Sequence, residues 1–259
     1  MVMLLAALAP AAAAPAAEPG GPEGALHGFP VLLDPSGKKL ADGDFTQSVQ
    51  DGERLRVQLT YAFPDGRRIE ETSEFRQKPE LAQERWSWRE TRGGAVLRRF
   101  QIDFAAGRAT GEKREEAQVQ SWSEKVEIEP GRTFAGFGFV LAIKNIRPRL
   151  LAGAHVELKT IAFTPKPRPV SVEVSHAGLD EMRMGGRAVR GDRFLIRPKI
   201  PRIAKLFIKV PDSYLWLVNP PPAGFLRMEG LLLEPDDPVV RIDLQGGGES
   251  GPAKPVAAK

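Results

Sequence analysis

Residue types that commonly carry catalysis occur in this chain, but none of them stands in a catalytic spacing. His27, His155 and His176 are far apart, and the HxH and HxxxH spacings that bring two imidazoles to one metal are absent. The 259-residue sequence contains no cysteine, which excludes thiol catalysis and cysteine-ligated zinc. No serine lies in a G-x-S-x-G turn. The sequence therefore predicts no catalytic residue, no metal site and no cofactor.

Paired carboxylates are the remaining catalytic chemistry that the sequence offers. Glu70, Glu71 and Glu74 lie close together, as do Glu84 and Glu90. A glycoside hydrolase needs two carboxyl groups about 5–10 Å apart in a cleft, a distance that the sequence does not give. Such pairs arise by chance in a chain with 33 acidic residues. A carboxylate-based glycoside hydrolase therefore stays an alternative function.

Large aromatic side chains are better candidates for binding. Trp86 and Trp88 share one face of a predicted strand, and Phe100 lies on the apolar face of the next strand. Aromatic residues on the inner face of a curved sheet suit apolar or amphipathic ligands, although core packing is their commoner role. The predicted ligand-binding residues are Trp86, Trp88, Trp122, Trp216 and Phe100.

Positive charge is concentrated between Arg183 and Lys209. This segment has nine basic residues and one acid, Asp192, giving a net charge of +8 against +4 for the whole chain. A basic face attracts anionic head groups or surfaces, but these residues could equally be solvent-facing sides of strands, neutralised by acids from Glu112–Glu129. No nucleic-acid motif accompanies the charge, so no nucleic-acid partner is expected. The predicted anion-binding residues are Arg187, Arg190, Arg193, Arg197, Lys199 and Arg202.

Period-two alternation dominates the chain and predicts strands with one buried face. It is clearest from Leu55 to Phe63, which Pro64-Asp65-Gly66 joins to the next strand as a hairpin, and it recurs from Pro198 to Leu244. The 23 prolines and 26 glycines lie between apolar runs, as turns between short strands do. The predicted fold is all-β: a long curved antiparallel sheet of about a dozen strands, forming a half-barrel or open barrel. At most one or two short helices are expected, one of them near Phe137–Ile146 and ended by Pro148.

The two ends of the chain differ from this domain. Residues 1–17 are uncharged, rich in Ala, Leu and Pro, and resemble the apolar part of a secretion signal, which predicts a periplasmic or secreted protein. Pro10 and Pro15 interrupt an apolar run already shorter than the roughly 20 residues of a transmembrane helix, so no transmembrane segment is expected. Residues 18–25 are predicted to be a flexible lead-in, 26–245 a single β-rich domain and 246–259 a disordered tail.

Several short segments in the second half of the chain carry a resemblance to a known family. They are Gly153–Leu158, Pro165–Pro169 with the strand after it, Lys199-Ile200-Pro201, Val210-Pro211-Asp212 leading to Leu215-Trp216-Leu217, and Phe225–Gly230. In this spaced pattern the chain resembles uncharacterised bacterial periplasmic proteins grouped as domain of unknown function 3108. The resemblance implies a strongly curved antiparallel sheet, half-closed like a lipid-carrier barrel, and brings no known activity or catalytic residue.

These observations predict a non-catalytic cell-envelope protein that binds or shields a hydrophobic or anionic amphipathic ligand in a concave sheet. An alternative is a structural or assembly module that binds another envelope protein through an exposed strand edge.

Overall fold

The computed structural model of the protein describes residues 23–115, 118–164, 166–184, 186–199, 210–244 and 254–255. It confirms the all-β prediction, with antiparallel strands in one sheet and one helix in the described part of the chain. The strands are β1 (Leu26–Gly28), β2 (Pro30–Leu33), β3 (Lys39–Gln50), β4 (Arg54–Ala62), β5 (Arg67–Arg76), β6 (Ala82–Arg92), β7 (Ala95–Asp103), β8 (Arg108–Glu115), β9 (Gln118–Lys125), β10 (Val156–Thr164), β11 (Lys166–Met184), β12 (Arg187–Pro198), β13 (Ser213–Asn219), β14 (Phe225–Leu231), β15 (Val239–Leu244) and β16 (Lys254–Pro255). The helix, α1, spans Gly138–Leu151.

The strand order places β2 and β15 side by side in the middle of the sheet. Successive strands β2 to β9 pair with their neighbours and run outward to one end of the sheet. Helix α1 then carries the chain to the opposite end, from which β10 to β15 return until β15 pairs with β2, with Ile242 opposite Leu32. The sheet therefore consists of an N-terminal half, β2–β9, and a C-terminal half, β10–β15.

The alternation in β4 shows why these residues form strands. Leu55, Val57, Leu59 and Tyr61 are buried, whereas the residues between them reach solvent. Gly66 has a φ of +78° in the hairpin that follows, a conformation that glycine adopts without steric cost. The predicted hairpin between β4 and β5 is confirmed.

Helix α1 lies inside the curve of the sheet. Six consecutive residues, from Gly138 to Ile143, are buried, so its first turns are surrounded by protein on all sides. The predicted end of the helix at Pro148 is wrong, because α1 continues to Leu151. Proline lacks one N–H donor, and in the last turn this costs a single helical hydrogen bond. Ala152 N and Gly153 N then close the helix by donating to the carbonyls of Pro148 and Leu150.

The β10–β11 hairpin is buried on both faces. Leu158 and Val172 belong to the core on one face, and Ile161 and Phe163 belong to it on the other. Lys166, at the start of β11, lies 3.3 Å from Glu124 of β9. No ladder joins β9 to β10 within the described residues, so the sheet is an open barrel whose two ends approach each other.

Some predicted features lie outside the described residues. They are the signal-like residues 1–17, most of the lead-in, and the alternating run from Ala204 to Lys209. Of the predicted tail, 246–259, the structure describes Lys254–Pro255, which pair with β11. No helix in the described segments is both long and apolar enough to cross a membrane.

Candidate functional site

An apolar cavity of about 530 Å³ opens inside the C-terminal half of the sheet. The start of α1, the β10–β11 hairpin, the ends of β12 and β14, and the loop after β14 form its walls. Its apolar lining includes Phe139, Val172, Ile196 and Met228, together with Leu231, Leu232 and Leu233. Ligand sites typically have volumes of roughly 300–1,000 Å³ and a mainly apolar lining, so both the size and the lining are those of a binding site.

Small side chains leave this space open. Ala135, Gly136, Ala162, Ser171 and Ser213 all line the cavity, and they come from four different segments of the chain. A protein interior is normally packed to the density of an organic crystal, so a space of this size requires small residues at facing positions.

Hydrogen bonds from β5 and β6 fix the wall where α1 begins. Glu71 Oε1 accepts hydrogen bonds from Phe137 N at 2.7 Å and from Trp86 Nε1 at 3.1 Å. Gln83 accepts a 2.7 Å hydrogen bond from Ala135 N and donates one of 3.2 Å to Ala135 O. Burial raises the pKa of the Glu71 carboxyl above its ordinary value, against the lowering effect of its two N–H donors.

Glycine is required at position 136 in this wall. Its φ is +53°, and a Cβ atom there would lie 2.0 Å from Glu71 Oε1 and 2.5 Å from Trp86 Nε1. The close approach lets the Glu71 carboxyl reach the backbone N of Phe137, the residue just before α1, at the helix end where the dipole favours a negative charge. The hydrogen bonds that Glu71 accepts from Phe137 N and Trp86 Nε1 therefore set the position of the start of α1 relative to Trp86.

The second half of α1 is anchored by ion pairs. Arg147 Nε donates to Asp192 Oδ2 at 2.9 Å, and Asn219 Nδ2 donates to Asp192 Oδ1 at 2.8 Å. Lys144 Nζ lies 2.6 Å from Glu23 Oε1. Because Arg147 and Asp192 are both buried, losing one partner would leave the other charge uncompensated. The helix is thus held at both ends.

Ion pairs across the interior hold the loop after β14 in place. Arg98 of the N-terminal half donates from Nη1 to Glu234 Oε2 at 2.9 Å and to Asp237 Oδ1 at 2.7 Å. It also donates from Nε to Glu90 Oε2 at 2.7 Å. Leu232, Leu233 and Pro235 of the same loop line the cavity. The Arg98 network therefore holds this wall against the N-terminal half.

Both ionisable side chains that line the cavity within the described residues are cationic. Arg168 and Lys199 are exposed and lie where the cavity meets solvent, and no described lining residue is acidic. Lys199 Nζ forms a 2.6 Å ion pair with Glu157 Oε2. This hydrogen bond raises the pKa of Lys199 and lowers that of Glu157.

Of the five aromatic residues predicted to bind a ligand, Trp86 is the one that lines the cavity. Trp88 and Phe100 are buried in the core of the N-terminal half. Phe163 packs against Phe100 and Trp86, with its ring centre 4.7 Å from that of Phe100 and 5.9 Å from that of Trp86. The ligand role of these residues stays a prediction.

The other two tryptophans lie elsewhere. Trp122 is half-buried against Gly111 on β8, beside Phe100. Trp216 faces away from the main core and forms a second cluster with Met182 and Leu226. Its Nε1 donates a 2.8 Å hydrogen bond to Asp180 Oδ2. The structure therefore does not place Trp216 with the other predicted aromatic residues.

The predicted anion-binding residues do not form one group. Arg193 pairs with Asp180 at 3.2 Å and Arg197 with Asp212 at 2.9 Å, while Lys199 pairs with Glu157. These acids lie outside the Glu112–Glu129 segment that the sequence suggested. Arg187 and Arg190 are exposed, and neither forms an ion pair with a carboxylate of the described residues. Arg202 lies outside the described residues.

Two carboxylates line a second, more polar groove of about 380 Å³ on the outer face of β4–β7. Glu74 and Asp103 lie two strands apart, and Arg85 stands between them in register with both. A basic residue therefore separates the two acids along the groove. The groove therefore gives the hydrolase alternative little support.

Comparisons with known proteins give one structural likeness. A scan against protein-family models and a search of curated proteins both find no match. Among solved structures, the crystal structure of a β-barrel-like protein of domain of unknown function 1849 from Brucella abortus is similar, with a TM-score of 0.47 and 8% sequence identity. The alignment covers 85% of this chain and 97% of that one. Since no family model matches, membership of family 3108 stays a prediction.

Proposed function

We propose that this protein is a non-catalytic binding protein that holds a hydrophobic or amphipathic molecule in the cavity of its C-terminal half. The observation that carries the proposal is the cavity itself, with its volume of about 530 Å³ and its apolar lining. Transfer of an apolar chain from water into such a space is favourable by about 0.8 kcal/mol per CH₂ group.

The walls of the cavity support this function because they are fixed before a ligand arrives. The Glu71 and Gln83 side chains clamp the start of α1, and Arg98 holds the loop that carries Leu232 and Leu233. A preorganised site loses less conformational entropy on binding, so more of the burial energy appears as affinity.

The cellular location is part of the proposal. The signal-like composition of residues 1–17 suggests an envelope protein, whose ligand would be an apolar or amphipathic molecule of that compartment.

Titration with Nile red, an uncharged dye that fluoresces in apolar sites, tests the binding function. We expect saturable binding to the full-length protein and at least a tenfold loss in Ala162→Phe, whose ring would occupy the cavity. Ala62→Phe is the matched control, since Ala62 is exposed at the end of β4. Equal binding by all three proteins would contradict the proposal.

A second candidate function, binding of another envelope protein, is favoured by the edge of β11. β10 pairs with β11 only as far as Val174, and the remaining ten residues of β11 extend beyond it. Within the described residues, Lys254–Pro255 alone add to this edge, opposite Asp180 and Glu181. An open edge offers backbone donors and acceptors to an added strand.

Capture from an envelope extract separates the two candidates. If wild type and Ala162→Phe retain the same protein partner, the strand-edge function is supported. If wild type alone retains a lipid, the cavity function is supported.

A further inference from the structure

We infer that the cavity takes an anionic amphiphile with a single hydrocarbon chain, its head group at the exposed end that Arg168 and Lys199 line and its chain directed toward Trp86 and Phe139. The inference rests on the proposed function and specifies its ligand. It depends on how charge and burial are distributed along the cavity.

One end of the cavity is exposed to solvent and the other end is buried. Arg168, Pro169 and Lys199 line it at exposed positions. At the other end, Trp86 is 2% exposed and Ala135 is 3% exposed. Because a charged group cannot be buried without a partner, an amphipathic ligand must enter with its polar head at the exposed end.

The sign of the charge at the exposed end selects the head group. Arg168 and Lys199 are cations, and no aspartate or glutamate is among the described residues that line the cavity. An anionic head group therefore meets complementary charge, whereas a cationic head group would be repelled. Carboxylate and phosphate share this chemistry, and both hydrogen-bond well to guanidinium and ammonium groups.

Each of the two cations already has a partner within the protein, and an anionic head group would be an additional contact. Lys199 forms exposed ion pairs with Glu157 at 2.6 Å and with Glu173 at 3.8 Å, and ion pairs of this kind are weak in water. An ammonium group has three N–H donors and a guanidinium group has five, so each can add a contact to an anionic oxygen. Arg168 also takes part in contacts within the chain.

The volume favours one chain. About 530 Å³ lies within the range of roughly 300–1,000 Å³ that holds one small molecule, and the Arg98 network fixes the wall that would have to move to admit a second chain. Trp86 Nε1 donates to Glu71, which leaves the apolar body of the ring for the end of the chain.

Displacement of Nile red from the full-length protein tests the inference with three matched probes. Oleic acid and its methyl ester share one chain and differ in charge, and oleoyl lysophosphatidate supplies the phosphate alternative. We expect both anions to displace the dye at concentrations at least tenfold lower than the ester. The anion that binds more tightly identifies the head group.

Charge removal locates the head group. Lys199→Gln and Arg168→Gln should each weaken oleate binding roughly three- to tenfold and leave ester binding unchanged. Arg183→Gln is the control, because Arg183 is an exposed base of β11, the strand that carries Arg168, and does not line the cavity. Thermal unfolding of each variant checks that the fold is retained.

The outcomes separate the two claims. If the ester displaces the dye as well as the anions do, or if the variants weaken ester and anion alike, the inference is overturned and the proposed function stands. If Nile red does not bind the protein, so that neither the anions nor the ester can displace it, the proposed function fails and the inference fails with it.

Discussion

The two halves of the sheet enclose interiors of opposite character. In the N-terminal half, large rings fill the space: the Trp88 and Phe100 ring centres lie 5.8 Å apart, and Phe163 packs against Phe100. The packing there is tight, because a Cβ atom at Gly111 would lie 3.2 Å from both Phe100 Cδ1 and Trp122 Cε3. In the C-terminal half, alanine, glycine and serine side chains leave a cavity of about 530 Å³.

This difference shows that aromatic content and binding space are separate properties. Aromatic side chains bury the most area and therefore tend to fill an interior rather than open it. A vacancy arises where small residues from distant segments face one another, as Ala135, Ala162 and Ser213 do here.

Removing a ring should have the largest effect in the filled half. Phe100→Ala is expected to lower the free energy of unfolding by about 3–5 kcal/mol, because the ring is completely buried and its removal creates a new cavity. Phe139→Ala should cost clearly less, since one side of that ring already borders the open space. Urea unfolding followed by far-UV circular dichroism measures both. Equal losses would show that the two interiors are packed alike.

Adding a ring should have opposite consequences in the two halves. Ala109→Phe is expected to destabilise the protein by about 1–3 kcal/mol, because Ala109 is fully buried in the filled half. Ala162→Phe should change the free energy of unfolding by less, since its ring enters the cavity. A larger loss at Ala162 than at Ala109, measured by the same urea unfolding, would refute the account of the C-terminal interior.

The smallest expected effect is on the pH dependence of the free energy of unfolding, to which the adjacent residues Glu70 and Glu71 should contribute in opposite ways. Burial raises the pKa of Glu71, which faces the interior, whereas hydrogen bonds from Arg89 and Arg68 lower the pKa of Glu70. From the ordinary value of 4.5 up to the raised pKa, folded Glu71 holds its proton while unfolded Glu71 releases it. The free energy of unfolding contributed by Glu71 therefore falls as pH rises through that interval.

Glu70 should behave in the opposite way. Its lowered pKa contributes stability above the ordinary value, and that stability is lost as pH falls through the lowered pKa. Glu71→Gln, which keeps an oxygen for Phe137 N and Trp86 Nε1, should flatten the decline above the ordinary value. Glu70→Gln should leave that decline intact and reduce the acid-side loss. Urea unfolding across a pH series checks both variants, and identical profiles would contradict the assignment.

Local pattern was enough to predict the strands but not the faces that they bury. Alternation from Leu55 to Phe63 and the turn at Pro64-Asp65-Gly66 predicted β4 and its hairpin, because both depend on neighbouring residues. In β13, by contrast, apolar residues occur on both faces of the strand. Leu215 and Leu217 enter the main core, while Trp216 joins the second cluster, so the pattern alone could not assign Trp216 to a face.

The candidate site depends on contacts that a sequence does not display. Arg168 lies in a proline-rich segment and carried no binding signal, yet it lines the cavity. Its position follows from the packing of the β10–β11 hairpin against the N-terminal half, where Phe163 contacts Phe100. Helix α1 was expected to end at Pro148, and its continuation to Leu151 reflects the anchoring of Arg147 on Asp192.

Native mass spectrometry of the protein purified from its natural host, compared with denaturing mass spectrometry, tests the central claim most directly. We expect an excess mass that leaves on denaturation, that matches an amphipathic molecule, and that is absent from Ala162→Phe. A bare mass for the wild type, under conditions in which known lipid carriers stay loaded, would contradict the claim that the cavity is a binding site. The same excess mass in wild type and Ala162→Phe would contradict it as well.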